Sequence, residues 1–448
     1  MPAAQSKEAP RSQVEQDAKD AQLVRLFGST TLLTVIGGTM LFTARQAVAK
    51  NSGLFSDAAS QTLFLTRIAS IGAAFEFLIN PVFGKLTDAH GRKPYLIGSA
   101  LPVIFVRALT YLYSKMMFPL VLEELVTIPL TTVYFSTFRA ALADCLDATR
   151  LTKAGASIGI WAGVGVVGGP ILASSVMRRA DPKWCFLLAA LLNGISITVL
   201  GSVFKETLAP EKRKPMVFSD MQPLSFLQLM KDRIVSRLML TSALQSFTEG
   251  RSINEVYVIY MLNNLKWNWS EINYLVGMSG MALILSGFIA KPMLDAMGMR
   301  KFTTFNNTCN SLSLLAFSAL PPFHLLATWT HMHLGVLFAA PAGRKRDAVE
   351  SLITKIGQDR GFGNGFIASS MNNFRSIPNV LGPLVLGSAY AWGAKRQKPW
   401  VPFLVGVLSI LAGELSFASL SSAELGLDAK GQLVKEADGE PKAADKAA

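Results

Sequence analysis

The fold this chain predicts is an all-α polytopic membrane protein, with twelve transmembrane helices in two pseudo-symmetric six-helix bundles. Three observations carry that expectation. Half of the 448 residues are hydrophobic, only 16% are charged, and mean hydropathy is +0.35, whereas soluble domains carry about 25% charged residues. The apolar residues gather into runs close to the roughly 20 residues a helix needs to cross a bilayer. No stretch alternates apolar and polar residues between hairpin turns, so nothing reads as a strand.

The runs fall at about 24–45, 62–84, 94–113, 117–139, 154–176, 184–204, 237–262, 271–291, 302–320, 322–342, 362–388 and 400–421. Residues 1–23 are polar and mix acidic with basic groups, unlike a signal or transit peptide. They read as a disordered tail, and 422–448, rich in Ala, Lys, Glu and Asp, reads the same way. The longest connection, 205–236, divides an N-terminal bundle at 24–204 from a C-terminal bundle at 237–421. Within it, Pro223 to Asp232 is weakly amphipathic and suits either an inner-surface helix or a solvated linker. With both termini inside, cytoplasmic segments hold about 26 Lys and Arg against about 10 outside, the asymmetry that orients membrane proteins. The net charge of +13 therefore belongs to loops rather than to a basic domain, and no nucleic-acid partner is expected.

Between runs two and three lies Gly84-Lys-Leu-Thr-Asp88-Ala-His-Gly91-Arg92-Lys93-Pro94. Its glycines permit a tight turn, and its charges keep the loop out of lipid. A degenerate echo, Asp295-Ala-Met-Gly298-Met-Arg300-Lys301, follows run eight. Gly382-Pro383 in run eleven likewise echoes Gly169-Pro170 in run five, at a similar offset.

The spacing Gly-x-x-x-Asp-x-x-Gly-Arg-Lys resembles the loop signature between helices 2 and 3 of the major facilitator superfamily, with Ala89 where the family usually has Arg or Lys. Glu206-Thr-Leu-Ala-Pro210-Glu-Lys-Arg213 resembles the end of helix 6 in its tetracycline-efflux-like members. Gly165-x-x-x-Gly169-Pro170 resembles part of the antiporter signature in helix 5, although Ala173-Ser174 replaces the closing glycines. In topology the resemblance covers 24–421. It implies two halves related about the membrane normal, substrate near the midplane between them, and a cavity lined by helices 1, 4, 7 and 10. It further implies that Asp88 meets the start of helix 11 near Gly361 to Gly365, at the positive end of a helix dipole. By the repeat, Asp295 would meet the start of helix 5 near Ala154 to Ala156. Both would help close an inner gate; the alternative is that these loops, including Arg300, only anchor topology. Gly165 and Gly169 serve either antiport or plain close packing, and Pro170 favours a bend. Run one has no acidic residue, and run four lacks the Arg-x-x-Gln-Gly of many proton-coupled exporters; its basic residue, Arg139, lies at the inner end.

Run seven holds the leading substrate-site candidates: Gln245, Glu249, Arg251, Asn254 and Glu255. A charge at the bilayer centre costs roughly 2.5–3.5 kcal/mol on insertion scales, so the three charges there must face water, one another or a ligand. Arg251 and Glu255, four apart, share a helix face, while Glu249 points elsewhere and needs another partner. An internal salt-bridge network is the alternative. Glu76 in run two is either a proton-carrying carboxyl or a partner of Arg107 on the next run. Arg375, with Asn372 and Asn373, either binds an anionic substrate group or locks helices. His331 is a further cavity candidate; His333, two residues on, faces another way, so no shared metal is expected. Glu123, Glu124 and Glu414 complete the intramembrane charges. Three single cysteines support no disulfide framework.

The expectation is a secondary active transporter moving a small organic solute by alternating access, first as export coupled to inward proton flow. Uniport or proton symport of a sugar, organic anion or nutrient is the second reading, and a transporter-like receptor the third. No nucleophile motif, phosphate loop or metal-ligand cluster is visible, so neither enzyme activity nor a cofactor is expected. The expected partners are a small-molecule substrate, protons and the lipid bilayer, around a monomer in the plasma membrane or, alternatively, an internal one.

Overall fold

The computed structural model describes residues 9–146, 148–213, 223–249, 251–362 and 364–432. Among them are thirteen α-helices and no β-strand. Six helices form the first half: α1 (Ala9–Asn51), α2 (Ala58–His90), α3 (Lys93–Leu112), α4 (Met117–Cys145), α5 (Ala148–Met177) and α6 (Trp184–Val203). Each makes one crossing. Local chemistry sets their limits: Asp57 accepts the Ser60 N–H at 2.7 Å while the Ser60 hydroxyl binds the Asp57 N–H, a capping box that starts α2.

The second half reaches six crossings less directly. Its helices are α7 (Arg233–Ser246), α8 (Arg251–Asn263), α9 (Trp269–Phe317), α10 (Thr328–Ala342), α11 (Asp347–Asp359), α12 (Asn364–Lys395) and α13 (Val401–Ala418). α9 supplies two crossings, because it bends at Gly298, whose φ of +72° only glycine adopts readily. Asn268 caps its start, accepting the N–H groups of Ser270 and Glu271.

Helices α7 and α8 are the two ends of one crossing. Val235, Leu238 and Met239 of α7 pack with Met299, Phe302 and Phe417, whereas Ile253, Val256 and Ile259 of α8 pack with Leu314, Phe317 and Phe403. These are successive levels of the same neighbours, α9 and α13. The pair α10 and α11 repeats the arrangement: Met332, Val336 and Ala340 join the upper cluster, Val349, Leu352 and Ile353 the lower.

Crossing ten therefore corrects the expected run at 322–342. The segment 343–361 is not a loop, because 348, 349, 352, 353 and 356 are all buried at helical spacing. Its charges occupy the opposite face and the joint at 343–346, and they pull the average hydropathy down.

We call the side with the 84–94 loop the motif face and the other the far face. Both described chain ends lie at the motif face. Residues 9–23 extend α1 instead of forming a disordered tail, and Asp20 pairs with Arg150 at 2.6 Å. Residues 422–432 are also ordered: Leu425 is buried, and the Met299 N–H donates to Gly431 O at 2.8 Å. Tail residues 1–8 and 433–448 lie outside the described set. In the linker, Pro223 to Asp232 forms two 3-10 turns rather than an amphipathic helix, and buries Phe226 and Leu229 beneath the second half.

Two seams join the halves, α2 along α12 and α5 along the first limb of α9. Small residues set their spacing: a Cβ on Gly280 would come within 2.9 Å of Val166.

Candidate functional site

In the far half, the charged residues that lipid would reject meet in one cluster. Arg45, near the end of α1, reaches Glu123 at 3.0 Å and Glu124 at 2.7 Å on α4, and Glu255 at 3.3 Å on α8. Arg107 of α3 approaches Glu123 at 3.6 Å, and the Thr127 hydroxyl donates to the same carboxylate at 3.1 Å. All five charged side chains are buried, Glu123 completely. Three carboxylates thus share two guanidinium groups among the described residues. The Arg45–Glu255 pair crosses from one half of the protein to the other. The Thr43 hydroxyl bonded to Asn273 Oδ1 at 2.7 Å, and the Ser174–Ser270 contact at 3.2 Å, reinforce it. The far half is tied shut.

Deeper in, the breaks in crossings seven and ten face each other. α7 holds 14 residues and α8 13, so each spans about 20 Å at 1.5 Å per residue. α10 and α11 are similar, at 15 and 13 residues. Both joints therefore lie near the middle of the crossing. Glu249, in the first joint, binds Lys345 and Arg346, in the second, at 3.0 Å each. Arg346 also donates to Ser246 Oγ at 2.8 Å and lies 4.0 Å from Glu350, which is 3.8 Å from Arg375 of α12. The break leaves helix ends to be satisfied, and the charges match their dipoles. Lys345 and Arg346 follow the negative end of α10, while Asp347 and Glu350 occupy the first turn of α11. Gln245 completes the joint, donating to Asn307 Oδ1 at 3.0 Å.

At the motif face, two sequence signatures become one structure. The Glu206 carboxylate accepts the backbone N–H of Arg92 at 2.9 Å and of Lys93 at 3.0 Å, capping α3 from 113 or more residues away. It also accepts from Thr207 and Leu208. Arg92 in turn binds Asp88 at 2.6 Å and Asp144 at 3.0 Å. Gly91 sits at φ +102°, and a Cβ there would lie 2.6 Å from Glu206 Oε2. We expect G91A to lower stability by about 2–3 kcal/mol through backbone strain alone, read as a drop in melting temperature of the detergent-solubilised protein. Partial burial pushes the Glu206 carboxyl upward, but the backbone donors of Arg92, Leu208, Lys93 and Thr207 outweigh it and hold it below the usual range. A depressed carboxylate contributes stability that is present above its unfolded value and is lost as pH falls through the folded one. The melting temperature of E206Q should accordingly change less with acidification below about pH 4.3 than that of the wild type.

The profile of the Major Facilitator Superfamily matches residues 27–383. The chain belongs to that superfamily. Tetracycline resistance protein, class C, of Escherichia coli is 22% identical over 330 residues, covering 73% of this chain and 80% of its own. Multidrug resistance protein MdtG of Dickeya zeae is 24% identical over 358 residues, covering 80% and 85%. Among solved structures, the nucleoside transporter NupG superposes with a TM-score of 0.67 at 12% identity, covering 89% of this chain and 98% of its own. The human organic anion transporter MFSD10 (TETRAN) does so with 0.62 at 16%, covering 89% and 99%. As a superfamily member the chain is an integral, multi-pass membrane transporter working by alternating access on a small molecule, and not an enzyme.

On this superfamily frame the residues singled out from sequence separate into groups. Gln245, Glu249 and Arg375 join the central joint; Arg107 and Glu255 join the far cluster. Arg251 starts α8, but its side chain, and hence its pairing with Glu255, lies outside the described residues. Asn254 and Glu76 are half-buried. Asn372 is exposed on α12 beside buried Asn373. His331 is set apart: it is buried near the far end of α10, with Nδ1 2.8 Å from Ala316 O, which places it against α9 rather than in the joint. Asp88 engages Arg92, and its expected counterpart, Gly361 to Gly365, lies partly outside the described residues. Asp295 is exposed, and its carbonyl, with that of Leu294, accepts from Gln432. Gly298 is backed by the chain at Lys430 and Gly431, and Arg300 grips the carbonyls of Ala418 and Leu420. Gly165 and Gly169 seat α1, with Val35 only 2.9 Å from a Cβ on Gly165. Pro170, Gly382 and Pro383 are buried within α5 and α12.

Arg45, Lys345, Arg346 and Glu350 were not anticipated as site residues. Arg45 closes an apolar run and reads as its boundary. The others sit in what resembles a basic loop, where only the apolar spacing from 348 to 356 distinguishes a buried half-helix.

Proposed function

We propose that this transporter exports a small organic solute in exchange for protons, with the motif face and both termini cytoplasmic, in the plasma membrane. The observation that carries the proposal is the far cluster. Buried carboxylates and guanidinium groups meet there across the two halves, and a buried carboxylate parted from its guanidinium partner takes up a proton more readily. When the far half opens, Arg45 and Glu255 part and the carboxylates meet outside water. When it closes, Arg45 returns to Glu255 and displaces the proton inward. Glu123 and Glu124 on α4 and Arg107 on α3 face the same space, and Arg251 starts the helix that bears Glu255. The cluster thus links protonation to the closure that alternating access requires. The basic loops at the motif face support the orientation, and the tetracycline and multidrug relatives support export. Central binding at the broken joints of crossings seven and ten follows the arrangement by which discontinuous helices present charged termini to substrate.

The test is flux through the purified chain in proteoliposomes, with ethidium, uridine and fluorescein as probes, under an imposed pH gradient and after its collapse by a protonophore. Gradient-driven movement of any probe, abolished by E255Q, is the expected result. Movement indifferent to the gradient and to E255Q would make the chain a uniporter instead.

A further inference from the structure

In the middle of the first half the helices do not close fully on one another. A cavity with about 20 Å³ of room for a water molecule lies between α1, α3, α4 and α6. Its polar wall is Thr34 of α1, Ser99 of α3, Thr131 and Tyr134 of α4, and Asn193 and Ser196 of α6; the rest is apolar. Asn193 lies near the centre of α6, which places the cavity at mid-membrane depth. Two prolines account for the gap. Pro102 of α3 and Pro129 of α4 adjoin wall residues, and each withholds a helical hydrogen bond and pushes the preceding turn aside.

Among the described residues, buried atoms of this wall lack a hydrogen-bond partner within the protein: Ser99 Oγ, Tyr134 Oη and Asn193 Oδ1. Each of these residues is only 4% exposed. The hydroxyls beside them are poorly engaged. Ser196 Oγ lies 3.4 Å from Thr34 Oγ1 and donates to Thr30 O at 3.4 Å, well beyond the usual O–H···O length of about 2.7–2.8 Å. The Tyr134 hydroxyl faces the same group. Lipid offers neither donor nor acceptor at this depth, and an unpaired buried polar atom is costly. A bound water needs about 10–15 Å³ and about two to four polar partners. The cavity supplies both, and it is too small for a solute group larger than a hydroxyl.

We infer that the first half binds a single structural water here, donating to Asn193 Oδ1 and exchanging hydrogen bonds with the Ser99 and Tyr134 hydroxyls. It joins α3, α4 and α6 where these side chains do not bond one another. Every wall residue belongs to the first half, so the water travels with that half and lies outside a solute route between the halves. α4 also carries Glu123 and Glu124, so the water braces the helix that presents those carboxylates to the far cluster.

Hydroxyl-radical footprinting of the full chain in nanodiscs reads this water, because radicals formed from a bound molecule by X-rays oxidise its neighbours. Tyr134 should be oxidised despite its burial. S99A/N193L removes two of the water's partners and fills part of the cavity, so oxidation of Tyr134 should fall about tenfold. S99A alone, which deletes one oxygen and leaves the packing intact, should lower it about threefold. Apolar replacements leave few unpaired atoms, so melting temperatures should stay close to the wild type and show that the variants fold. On rapid mixing into water labelled with heavy oxygen, the label should enter Tyr134 later than Tyr113, which is 49% exposed. Oxidation of Tyr134 that is absent, or equal in the wild type and both variants, would show a dry cavity and overturn the inference. Label entering Tyr134 as fast as Tyr113 would overturn it as well, since the cavity would then be a crevice open to bulk water.

Discussion

Replacing Arg45 with methionine should destabilise the protein by about 3–5 kcal/mol, the cost of removing one partner from a buried ionic group. Methionine matches much of the arginine stem, so packing around α1 changes little and the loss isolates charge. Glu123 keeps Arg107 and the Thr127 hydroxyl, but Glu124 and Glu255 lose the guanidinium group 2.7 Å and 3.3 Å away. Two results distinguish this from a packing defect. The R45M/E124Q double variant should regain part of the loss, because its second change removes an uncompensated charge. Accessibility should also move: a cysteine placed at Asn273 should react faster with a membrane-impermeant maleimide in R45M than in the Arg45 parent, since the tie between halves is gone. A melting temperature within about 1 °C of the parent, with unchanged labelling, would show that the cluster holds nothing together.

The twelve crossings were legible because lipid imposes length and apolarity on each helix. Even so, among the described residues only eight helices satisfy those demands alone, α9 supplying two crossings. Crossings seven, ten and eleven are not among them, and seven and ten are broken: at 247–249 and 343–346 the chain leaves the helix and carries charges that meet across the bundle. In run seven the signal was visible, since Glu249 stood where lipid forbids it. In crossing ten the charges fell beside the end of an apolar run and imitated a loop. No residue spacing predicts that Lys345 and Glu249, 96 positions apart, become partners; that follows from how α7 and α11 pack. The Gly91–Glu206 contact is different, for each partner was noticed in its own motif and only the link between them required the fold.

The second large effect concerns that central joint, and its size differs between partners. Glu249 has two cations at 3.0 Å, so K345M leaves it bound to Arg346 and should cost little, about 1 kcal/mol. E249Q is not equivalent. It leaves Lys345, whose side chain is only 3% exposed, without its carboxylate in the middle of a membrane crossing, and should cost about 3–5 kcal/mol. The E249Q/K345M double variant should then be more stable than E249Q alone, an interaction energy of opposite sign to simple additivity. Transport should divide along another line: K345M retains the charged Glu249–Arg346 contact between the two broken crossings and keeps measurable flux, while the double variant folds but moves solute slowly. Equal destabilisation by the two single changes would mean that Arg346 alone cannot stand in for Lys345. The joint would then be held by the number of cations near Glu249 rather than by the buried one.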